Sequence, residues 1–264
     1  MIYIMRVALA QIPCVLGDKE ANLGRMRRTM SRVEADLYVF PELFLTGYMV
    51  RDEIYRLAEC MDGPSIAAVG AMAAETGAHV LFGMAVRDSM VPGVLRNSAV
   101  LISPLGRAQR YDKINLASFG PFEESLYFAP GSAPAMMDVN GTKIGAVICY
   151  DLFFPELIRQ YALQGAQAIV CISASPVTSR DFFEKLIPVR AIENSTYCLY
   201  VNQVGTQLGQ VFFGGAEAVG PTGERLAKAS YFEEDIAVVE IDDKEVLTAR
   251  RMRPTIRDAL GRTR

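Results

Sequence analysis

The sequence predicts a layered α/β fold, and three features favour it. Short apolar or β-branched runs alternate along the chain with segments of helical spacing. The runs are apolar almost throughout, which is typical of strands whose sheets are covered by helices. Of the 264 residues, 51% are apolar and only 22% are charged, so the chain can bury a large core. We therefore expect α and β layers around a shared core.

Eight strands and four helices follow from these patterns. The run from Ile4 to Gln11 contains an arginine and has no charged leader before it, which predicts a buried strand and not a signal peptide. The other predicted strands are Leu37–Phe40, His79–Val86, Ser98–Ser103, Lys143–Cys149, Ala168–Ser173, Cys198–Val204 and Ala237–Ile241. Helical spacing predicts helices at Lys19–Glu34, Ser65–Thr76, Pro155–Gln164 and Asp181–Glu193.

Turn signals and the absence of a linker complete this outline. Met90–Gly93 and Pro221–Gly223 are predicted to be hairpin turns. No Pro, Gly or Ser-rich linker divides the chain, since the stretch Pro130–Pro134 is long enough only for a loop. We expect one domain over residues 1–264. The arginine-rich end, Ala249–Arg264, has two interpretations, a solvated tail or an arm across a partner subunit.

Composition narrows the classes of function. The 27 basic and 30 acidic residues give a net charge of -3, which argues against a polynucleotide partner. No run of about 20 apolar residues predicts a membrane span. An odd number of widely spaced cysteines favours a reducing compartment, with the cytoplasm as the default. These residues are Cys14, Cys60, Cys149, Cys171 and Cys198.

The single histidine excludes several catalytic sites. His79 lies in the apolar run GAHVLFGMA and is predicted to be a core residue, which argues against Ser-His-Asp and Cys-His mechanisms. Zinc sites that need several histidines or a CxxC pair are excluded, whereas an all-carboxylate metal site stays open. The sequence also has no GxSxG motif and no Walker loop. A nucleophile and a base must come from other residues.

Cys149 is the candidate nucleophile. It ends an apolar strand, and a helix opens a few residues later with Pro155 suited to its first turn. Backbone N–H groups at such a junction favour a thiolate and can hold a developing oxyanion. The other four cysteines lack this setting and are assigned to packing.

Two charged residues at other predicted strand ends complement the thiol. Glu42 follows the strand in DLYVFPE, and its apolar surroundings predict a raised pKa, which suits a general base near neutrality. Lys113, in RYDKINL, follows another strand and can supply positive charge to an anionic intermediate. Taken alone, Glu42 could instead be a helix-capping or ion-paired glutamate, and Lys113 could be a solvent-facing lysine. Together they suggest covalent catalysis.

The segments around these three residues resemble the nitrilase superfamily of carbon-nitrogen hydrolases, in particular its amidase-type branch. They are PELFLTGY around Glu42, YDKINL around Lys113 and GAVICYDLFFPELIRQYALQGAQAIV around Cys149. Shorter likenesses are MRVALAQIP at the start, SASP after the strand beyond Cys149, and VNQVG and GPTGE near the end. The resemblance extends over essentially the whole chain.

The resemblance implies a four-layer α-β-β-α sandwich whose subunits pair through their helical faces, as a homodimer or a higher homo-oligomer. It also implies a second glutamate after the lysine, and Glu124 matches that position better than Glu123 by its spacing before the Ala129–Gly131 turn.

The same resemblance implies the catalytic roles. Glu42 would deprotonate Cys149 and later the hydrolytic water, and Lys113 with the backbone N–H of Tyr150 would bind the oxyanion. Glu124 would position Glu42 or the substrate. The reaction would proceed through a thioester and release ammonia or an amine without a cofactor.

Departures from the family pattern leave the substrate open. The fourth position after the cysteine is often Arg in small-amidase branches and is Phe153 here. The loops resemble the glutaminase part of glutamine-dependent NAD synthetases, but Tyr150 replaces a common Glu and the chain has no ATP-binding loop. We expect hydrolysis of a small carboxamide or N-carbamoyl compound, with amides preferred over nitriles because the chain is short and resembles amidase branches. The alternatives are a nitrilase, a subunit that supplies ammonia to a separate synthetase, and acyl transfer. Substrate contacts are predicted at Tyr48, Phe119, Ser175 and Arg180.

Overall fold

Two six-stranded sheets form the centre of the computed structural model, which describes residues 4–261. In spatial order the first sheet contains β14 (Asp235–Asp242), β1 (Ile4–Gln11), β2 (Leu37–Val39), β3 (His79–Arg87), β4 (Leu95–Ile102) and β5 (Ala108–Asp112). The second contains β13 (Arg225–Lys228), β12 (Glu217–Val219), β9 (Tyr197–Asn202), β8 (Ala168–Ser173), β7 (Thr142–Ile148) and β6 (Met136–Val139). A separate hairpin pairs β10 (Val204–Gln207) with β11 (Gln210–Phe213).

Helices connect and cover these strands. They are α1 (Lys19–Met30), α2 (Ile54–Leu57), α3 (Pro64–Thr76), α4 (Glu124–Tyr127), α5 (Pro155–Leu163), α6 (Arg180–Asn194), α7 (Asp243–Met252) and α8 (Thr255–Leu260). Within residues 4–261, no helix is long and apolar enough to cross a membrane.

Parallel strands at the centre of each sheet determine where the connecting loops meet. Strands β1, β2 and β3 run parallel, as do β7, β8 and β9, and the strands that flank each trio are antiparallel to it. The carboxyl ends of parallel strands share one edge of a sheet, which is where sites are commonly built in α/β folds. Each sheet therefore offers such an edge.

The layers follow from the two faces of each strand. Outward side chains of the first sheet, such as Ala8 and Phe82, pack with Met26 of α1 and Val69 of α3. Inward side chains of the first sheet form one core with both faces of the second sheet and with α5 and α6. The order of layers is thus helix, sheet, sheet, helix, and the α-β-β-α fold implied by the resemblance is confirmed.

The predicted elements agree best where strands are buried on both faces. Strands β1 and β8 have the predicted bounds, and both predicted hairpin turns join antiparallel strands. The eight predicted strands do not include β5, β6 or β10 to β13. These six strands have at most five residues each, and all but β12 lie at sheet edges or in the small hairpin. His79 begins β3 and is buried, as predicted.

The carboxyl-terminal segment packs against its own chain up to residue 261. Arg250 donates a hydrogen bond of 2.6 Å to the carbonyl of Ala166, and Ile256 is buried. The hydroxyl of Thr255 donates to the carbonyl of Glu193 at 3.3 Å. The interpretation as a solvated tail is therefore wrong for α7 and α8, and residues 262–264 lie outside the described residues.

Candidate active site

Glu42 lies in the loop that follows β2, and the backbone of β3 makes room for it. A Cβ on Gly83 would lie 2.6 Å from the Cα of Glu42 and closer still to the nitrogen of Leu43. Only glycine allows this approach without displacing the loop. Leu43 has a left-handed backbone with φ of 47°, which turns the chain sharply after Glu42.

The carboxylate of Glu42 is fully buried and holds partners from both sheets. Its Oε1 accepts a hydrogen bond of 2.8 Å from Asn97 of β4 and its Oε2 one of 2.9 Å from the backbone N–H of Ala174. The carbonyl of Glu42 accepts a hydrogen bond of 2.7 Å from the side chain of Gln203. These bonds hold the carboxylate in one orientation.

Lys113 bridges two carboxylates. Its Nζ lies 2.7 Å from Glu42 Oε1 and 2.7 Å from Glu124 Oε1, and its side chain is fully buried. The carbonyl of Lys113 accepts a hydrogen bond of 2.7 Å from the N–H of Gly131. A Cβ at Gly131 would collide with the carbonyl of Asp112, so the absent side chain lets this loop lie against the end of β5.

Glu124 begins α4 and points inward, whereas Glu123 is exposed. The Oε1 of Glu124 accepts a hydrogen bond of 2.6 Å from the hydroxyl of Tyr48, and its Oε2 accepts one of 3.0 Å from the backbone N–H of Ala117. The structure therefore places Glu124, as chosen from the spacing, beside Lys113.

Cys149 occupies a strained position directly after β7. It is the first residue of the 3-10 turn Cys149–Phe153 and has φ of 48°, in the left-handed region that L-residues seldom adopt. Asp151 stabilises the turn, because its Oδ2 accepts hydrogen bonds from the N–H of Ile148 at 3.1 Å and the hydroxyl of Tyr111 at 2.8 Å. Its Oδ1 accepts from the N–H of Asn115 at 2.8 Å, which joins the turn to the loop after Lys113.

Two serines, Ser173 at the end of β8 and Ser175 just after it, lie near the thiol. The Oγ of Ser175 lies 3.3 Å from Cys149 Sγ and 2.6 Å from the Oγ of Ser173. Ser175 is itself held by Asn202, whose Oδ1 accepts from the Ser175 N–H at 2.7 Å and whose Nδ2 donates to the Ser175 carbonyl at 3.1 Å. A hydroxyl is thus positioned to donate to the sulfur.

Burial controls the charge state of the carboxylate and the ammonium. Burial raises the pKa of Glu42, and Lys113 opposes this effect while the nearby charge of Glu124 adds to it. Burial alone would lower the pKa of Lys113, but Glu124 and Glu42 hold it well above its usual range. The two pKa shifts are compatible. Lys113 lies between two carboxylates, which together raise its pKa, whereas Glu42 must share this one ammonium group with Glu124. Glu42 is therefore a stronger base than an exposed glutamate, as its apolar sequence surroundings predicted.

The thiol is protonated at rest. Burial, followed by the charge of Glu42, raises the pKa of Cys149 to about 12, and Lys113 only partly offsets this. The expectation that the strand-to-helix junction would favour a thiolate is therefore wrong. That expectation considered only the local N–H groups, which favour the thiolate. Complete burial and the neighbouring carboxylate of Glu42 both favour the thiol, and they dominate here. Nucleophilic attack thus needs a base to remove the proton.

An aromatic cavity of about 300 Å³ opens beside the thiol. Its wall consists of Ala117, Phe119, Phe122, Cys149, Tyr150, Phe153, Ser175, Ser179, Phe182 and Phe183. A larger groove of about 470 Å³ is lined by residues such as Arg6 and Asp36, which lie at or before the amino ends of parallel strands and away from the thiol. We assign the smaller cavity to the substrate, since it contains the nucleophile.

Of the four residues predicted to contact the substrate, Phe119 and Ser175 line this cavity. Tyr48 instead donates its hydroxyl to Glu124 and packs edge-on against Phe122, so it supports the carboxylate. Arg180 lies outside the cavity wall, beside Asp181 and Glu184 and over the ring of Tyr231, because the start of α6 directs it away from the thiol. The substrate contact predicted for Arg180 is wrong for this structure.

Several residues of the site were not identified from the sequence. They are Asn97, Tyr111, Asp151, Ser173, Asn202 and Gln203, all of them buried. A weak signal existed for all of them except Tyr111, since each of the others interrupts or closely follows an apolar run. Most of their partners are far away in the chain, as for Asn97 with Glu42 and Gln203 with Glu42, so the sequence offered no reason to connect them. Within residues 4–261, no group of His, Cys, Asp and Glu could hold a metal ion.

Known proteins resemble this chain in both sequence and fold. The model of the family described as carbon-nitrogen hydrolase matches residues 6–251. A nitrilase of Pyrococcus abyssi is 33% identical over 90% of this chain and 90% of its own length. A glutamine-dependent NAD(+) synthetase of Aquifex aeolicus is 32% identical over 90% of this chain, which covers only 42% of that protein.

A solved structure supplies a chemical comparison. It is a glutamate-to-glutamine variant of an amidase from Nesterenkonia sp. AN1, with the acetamide moiety of fluoroacetamide covalently added to the active-site cysteine. It is 28% identical, has a TM-score of 0.82 and covers 94% of each chain.

Proposed function

This chain belongs to the carbon-nitrogen hydrolase family, and on that premise we propose that it cleaves a small carboxamide or N-carbamoyl compound through a Cys149 thioester. The proposal rests on the group of side chains at the junction of the two sheets. There a buried Glu42–Lys113–Glu124 cluster lies beside a protonated thiol that opens into a cavity. The family assignment establishes a hydrolase of carbon–nitrogen bonds, and the cluster supports the roles below.

Acylation begins with proton transfer from the thiol to Glu42. The sulfur then attacks the carbonyl carbon, and the C=O electron pair moves onto oxygen. Lys113 and the backbone N–H of Tyr150 stabilise this oxyanion. When the C–N bond breaks, Glu42 returns the proton to the leaving nitrogen. For a primary amide the products are ammonia and the thioester.

Deacylation reuses the same carboxylate. Glu42 takes a proton from water, the hydroxide attacks the thioester carbonyl, and the C–S bond breaks. The proton returns to the sulfur and the carboxylic acid leaves. The sum is amide plus water to acid plus ammonia, and the enzyme needs no cofactor for this balance. Transfer to an amine in place of water would share the first half of the reaction.

Glutamine is a less suitable substrate for this cavity than a neutral amide. An ammonia-supplying role has support from the likeness to part of the NAD(+) synthetase. However, none of the ten residues that line the cavity carries a charge that could pair with an amino acid's ammonium and carboxylate. We therefore keep the neutral amide as the proposed substrate.

We also propose that the enzyme is a cytoplasmic homo-oligomer whose helical faces pair. Support comes from apolar side chains that α6 leaves exposed, with Val189 at 46% and Ile192 at 38% exposure. Sedimentation velocity at several concentrations tests it, and a monomer that persists at all concentrations would contradict it.

The central experiment traps the acyl enzyme. Purified protein is mixed with small amides, N-carbamoyl amines and nitriles, quenched in acid and analysed by intact-protein mass spectrometry. We expect amides or carbamoyl amines to add the mass of their acyl group at Cys149 and to release ammonia or amine. The Cys149→Ala variant should show neither. Turnover that survives in this variant, or adducts and turnover with nitriles alone, would overturn the proposal.

A further inference from the structure

The cavity beside Cys149 has a nearly continuous aromatic wall. The rings of Phe119 and Phe122 have centroids 5.5 Å apart, and Phe119 lies 4.9 Å from Tyr150. Tyr150 is 5.4 Å from Phe153, which is 5.4 Å from Phe183. These rings contact one another in sequence along the wall, and Phe119 and Phe182, with 50% and 58% exposure, form its solvent-facing part.

The wall has no charge to offer a substrate. Its only side-chain hydroxyls besides that of Tyr150 belong to Ser175 and Ser179. Two cations of this region have other partners, since Lys113 lies between two carboxylates and the guanidinium of Arg180 lies 5.3 Å from the ring centroid of Tyr231. A charged acyl chain would therefore lose water without gaining a counter-ion, which is strongly unfavourable.

The cavity is large enough to hold a side group of the substrate in addition to the reacting carboxamide. An apolar cavity of about 150 Å³ holds a benzene molecule. At about 300 Å³, this cavity has room for a phenyl ring or a hydrocarbon chain of similar size together with the carboxamide. A substrate as small as formamide would leave most of the apolar wall exposed to water.

Ring geometry favours hydrocarbon over an ammonium group. Aromatic faces can attract cations, so a cage of rings could in principle select a positive substrate. Here the contacts are largely edge-on, with interplanar angles of 61° for Phe119 with Tyr150 and 88° for Phe153 with Phe183. In such pairs the positive edge of one ring already lies against the face of the next.

We propose that the cavity lined by Phe119, Phe122, Tyr150, Phe153, Phe182 and Phe183 selects amides whose acyl group is neutral and apolar, an aryl-alkyl or medium-length alkyl chain. This inference rests on the proposed amide hydrolysis through Cys149. It adds the chemical class of the acyl group, which the family assignment leaves open.

Matched amides of equal length test the proposal. Hexanamide ends in a methyl group, adipamic acid in a carboxylate and 6-aminohexanamide in an ammonium. We expect kcat/KM for hexanamide and for 3-phenylpropanamide to exceed that of both charged amides by about 100-fold. Affinities of the Cys149→Ala variant for the same amides, measured by calorimetry, should follow the same order and do not depend on turnover.

Two cavity variants sharpen the test. Phe153→Arg places a cation in the wall and should lower kcat/KM for hexanamide while raising it for adipamic acid. Phe119→Ala should lower kcat/KM for 3-phenylpropanamide about tenfold through KM. Tyr55→Ala is the matched control, because Tyr55 is a half-exposed aromatic residue outside the wall, and it should change neither value. Circular dichroism verifies that each variant is folded.

The outcomes separate the inference from the proposed function. If a charged amide is cleaved as well as hexanamide, or 6-aminohexanamide binds best, acyl selection by the aromatic wall is wrong while hydrolysis through Cys149 stands. If no amide is cleaved and none forms an adduct, the proposed function fails and the inference fails with it.

Discussion

The carboxylate of Glu42, in a loop of the first sheet, accepts a 2.9 Å hydrogen bond from the backbone N–H of Ala174, which follows a strand of the second sheet. The two residues are separated by 132 positions. This bond crosses the interface between the sheets, so packing of one sheet on the other orients the base. A substitution that shifts this packing should therefore impair catalysis even though no catalytic residue is replaced.

Gly83→Ala tests how strongly catalysis depends on the position of the loop that carries Glu42. The new Cβ would lie 2.6 Å from the Cα of Glu42, so the loop must move. We expect a loss of about 1–3 kcal/mol in the free energy of unfolding, as for other overpacked sites, and a fall in kcat of at least about tenfold. Urea unfolding and steady-state kinetics measure the two effects.

Gly70→Ala is the control for that substitution. Gly70 lies in α3, and its nearest neighbour would be the Cγ2 of Ile102 at 4.0 Å. Alanine there should leave kcat unchanged and stabilise the helix by about 0.5–1 kcal/mol. Equal effects on kcat from both variants would refute the special role of Gly83.

Lys113→Met should reduce both activity and stability. Loss of an oxyanion donor lowers kcat by about 10² to 10³, and removing one partner of a buried ion pair costs about 3–5 kcal/mol of folding free energy. Lys113 lowers the pKa of Glu42, so its removal raises that pKa further. A folded state that binds a proton more tightly loses stability as the pH rises, so the deficit should grow with pH.

Lys244→Met provides the comparison for that variant, because Lys244 is exposed on α7. It should behave like the unmodified protein in kinetics and in urea unfolding. An unaltered kcat in folded Lys113→Met would exclude the oxyanion role.

The pH profile of Cys149 alkylation should follow Glu42. With a thiol pKa of about 12, unaided ionisation would increase the rate of reaction with iodoacetamide tenfold for each pH unit through neutrality. With Glu42 as the base, the rate should level off above the raised pKa of Glu42. Peptide mass spectrometry in a Cys60→Ser background follows Cys149 alone. Glu42→Gln should remove the plateau, and a plateau that persists would assign the base to another group.

The contribution of Glu42 to stability should fall with rising pH, whereas the rate of Cys149 alkylation should rise. The folded-state pKa of Glu42 is raised, so its contribution to stability is present below the unfolded-state pKa of about 4.3 and is lost as the pH rises through the folded-state pKa. Activity needs the ionised carboxylate and rises over that same interval. Urea unfolding of the unmodified protein and Glu42→Gln across this interval measures the difference, which a flat profile would contradict.

Ser175→Ala should slow reactions of the thiol. The hydroxyl lies 3.3 Å from the sulfur and can receive a hydrogen bond from Ser173, which leaves its own proton for Sγ. Hydrogen bonds to charged groups are worth about 1.5–3 kcal/mol, so alkylation at fixed pH should fall about 10- to 100-fold. Ser125→Ala, at an exposed serine paired with Ser118, should have no effect. Equal rates for both variants would remove Ser175 from the reaction.

Patterns in the sequence were sufficient to predict the layered fold and to choose Glu42, Lys113 and Cys149. Cys149 ends an apolar run and Glu42 closely follows one, and this local pattern needs no knowledge of distant contacts. Lys113 instead follows the mixed polar strand β5, so its choice depended on the motif around it. The motifs around them also carried the resemblance to the family. Short edge strands such as β5 have mixed polar sequences and were missed for the same reason, because their local pattern is weak.

The charge states and the shape of the site could not be predicted in this way, because they depend on the packed structure. The raised pKa of Cys149, the two carboxylates on Lys113, the hydroxyl of Tyr48 on Glu124 and the displacement of Arg180 from the cavity all depend on side chains far apart in the chain. Desolvation and Coulomb interactions are set by distance and burial in space, and these quantities exist only once the two sheets have packed.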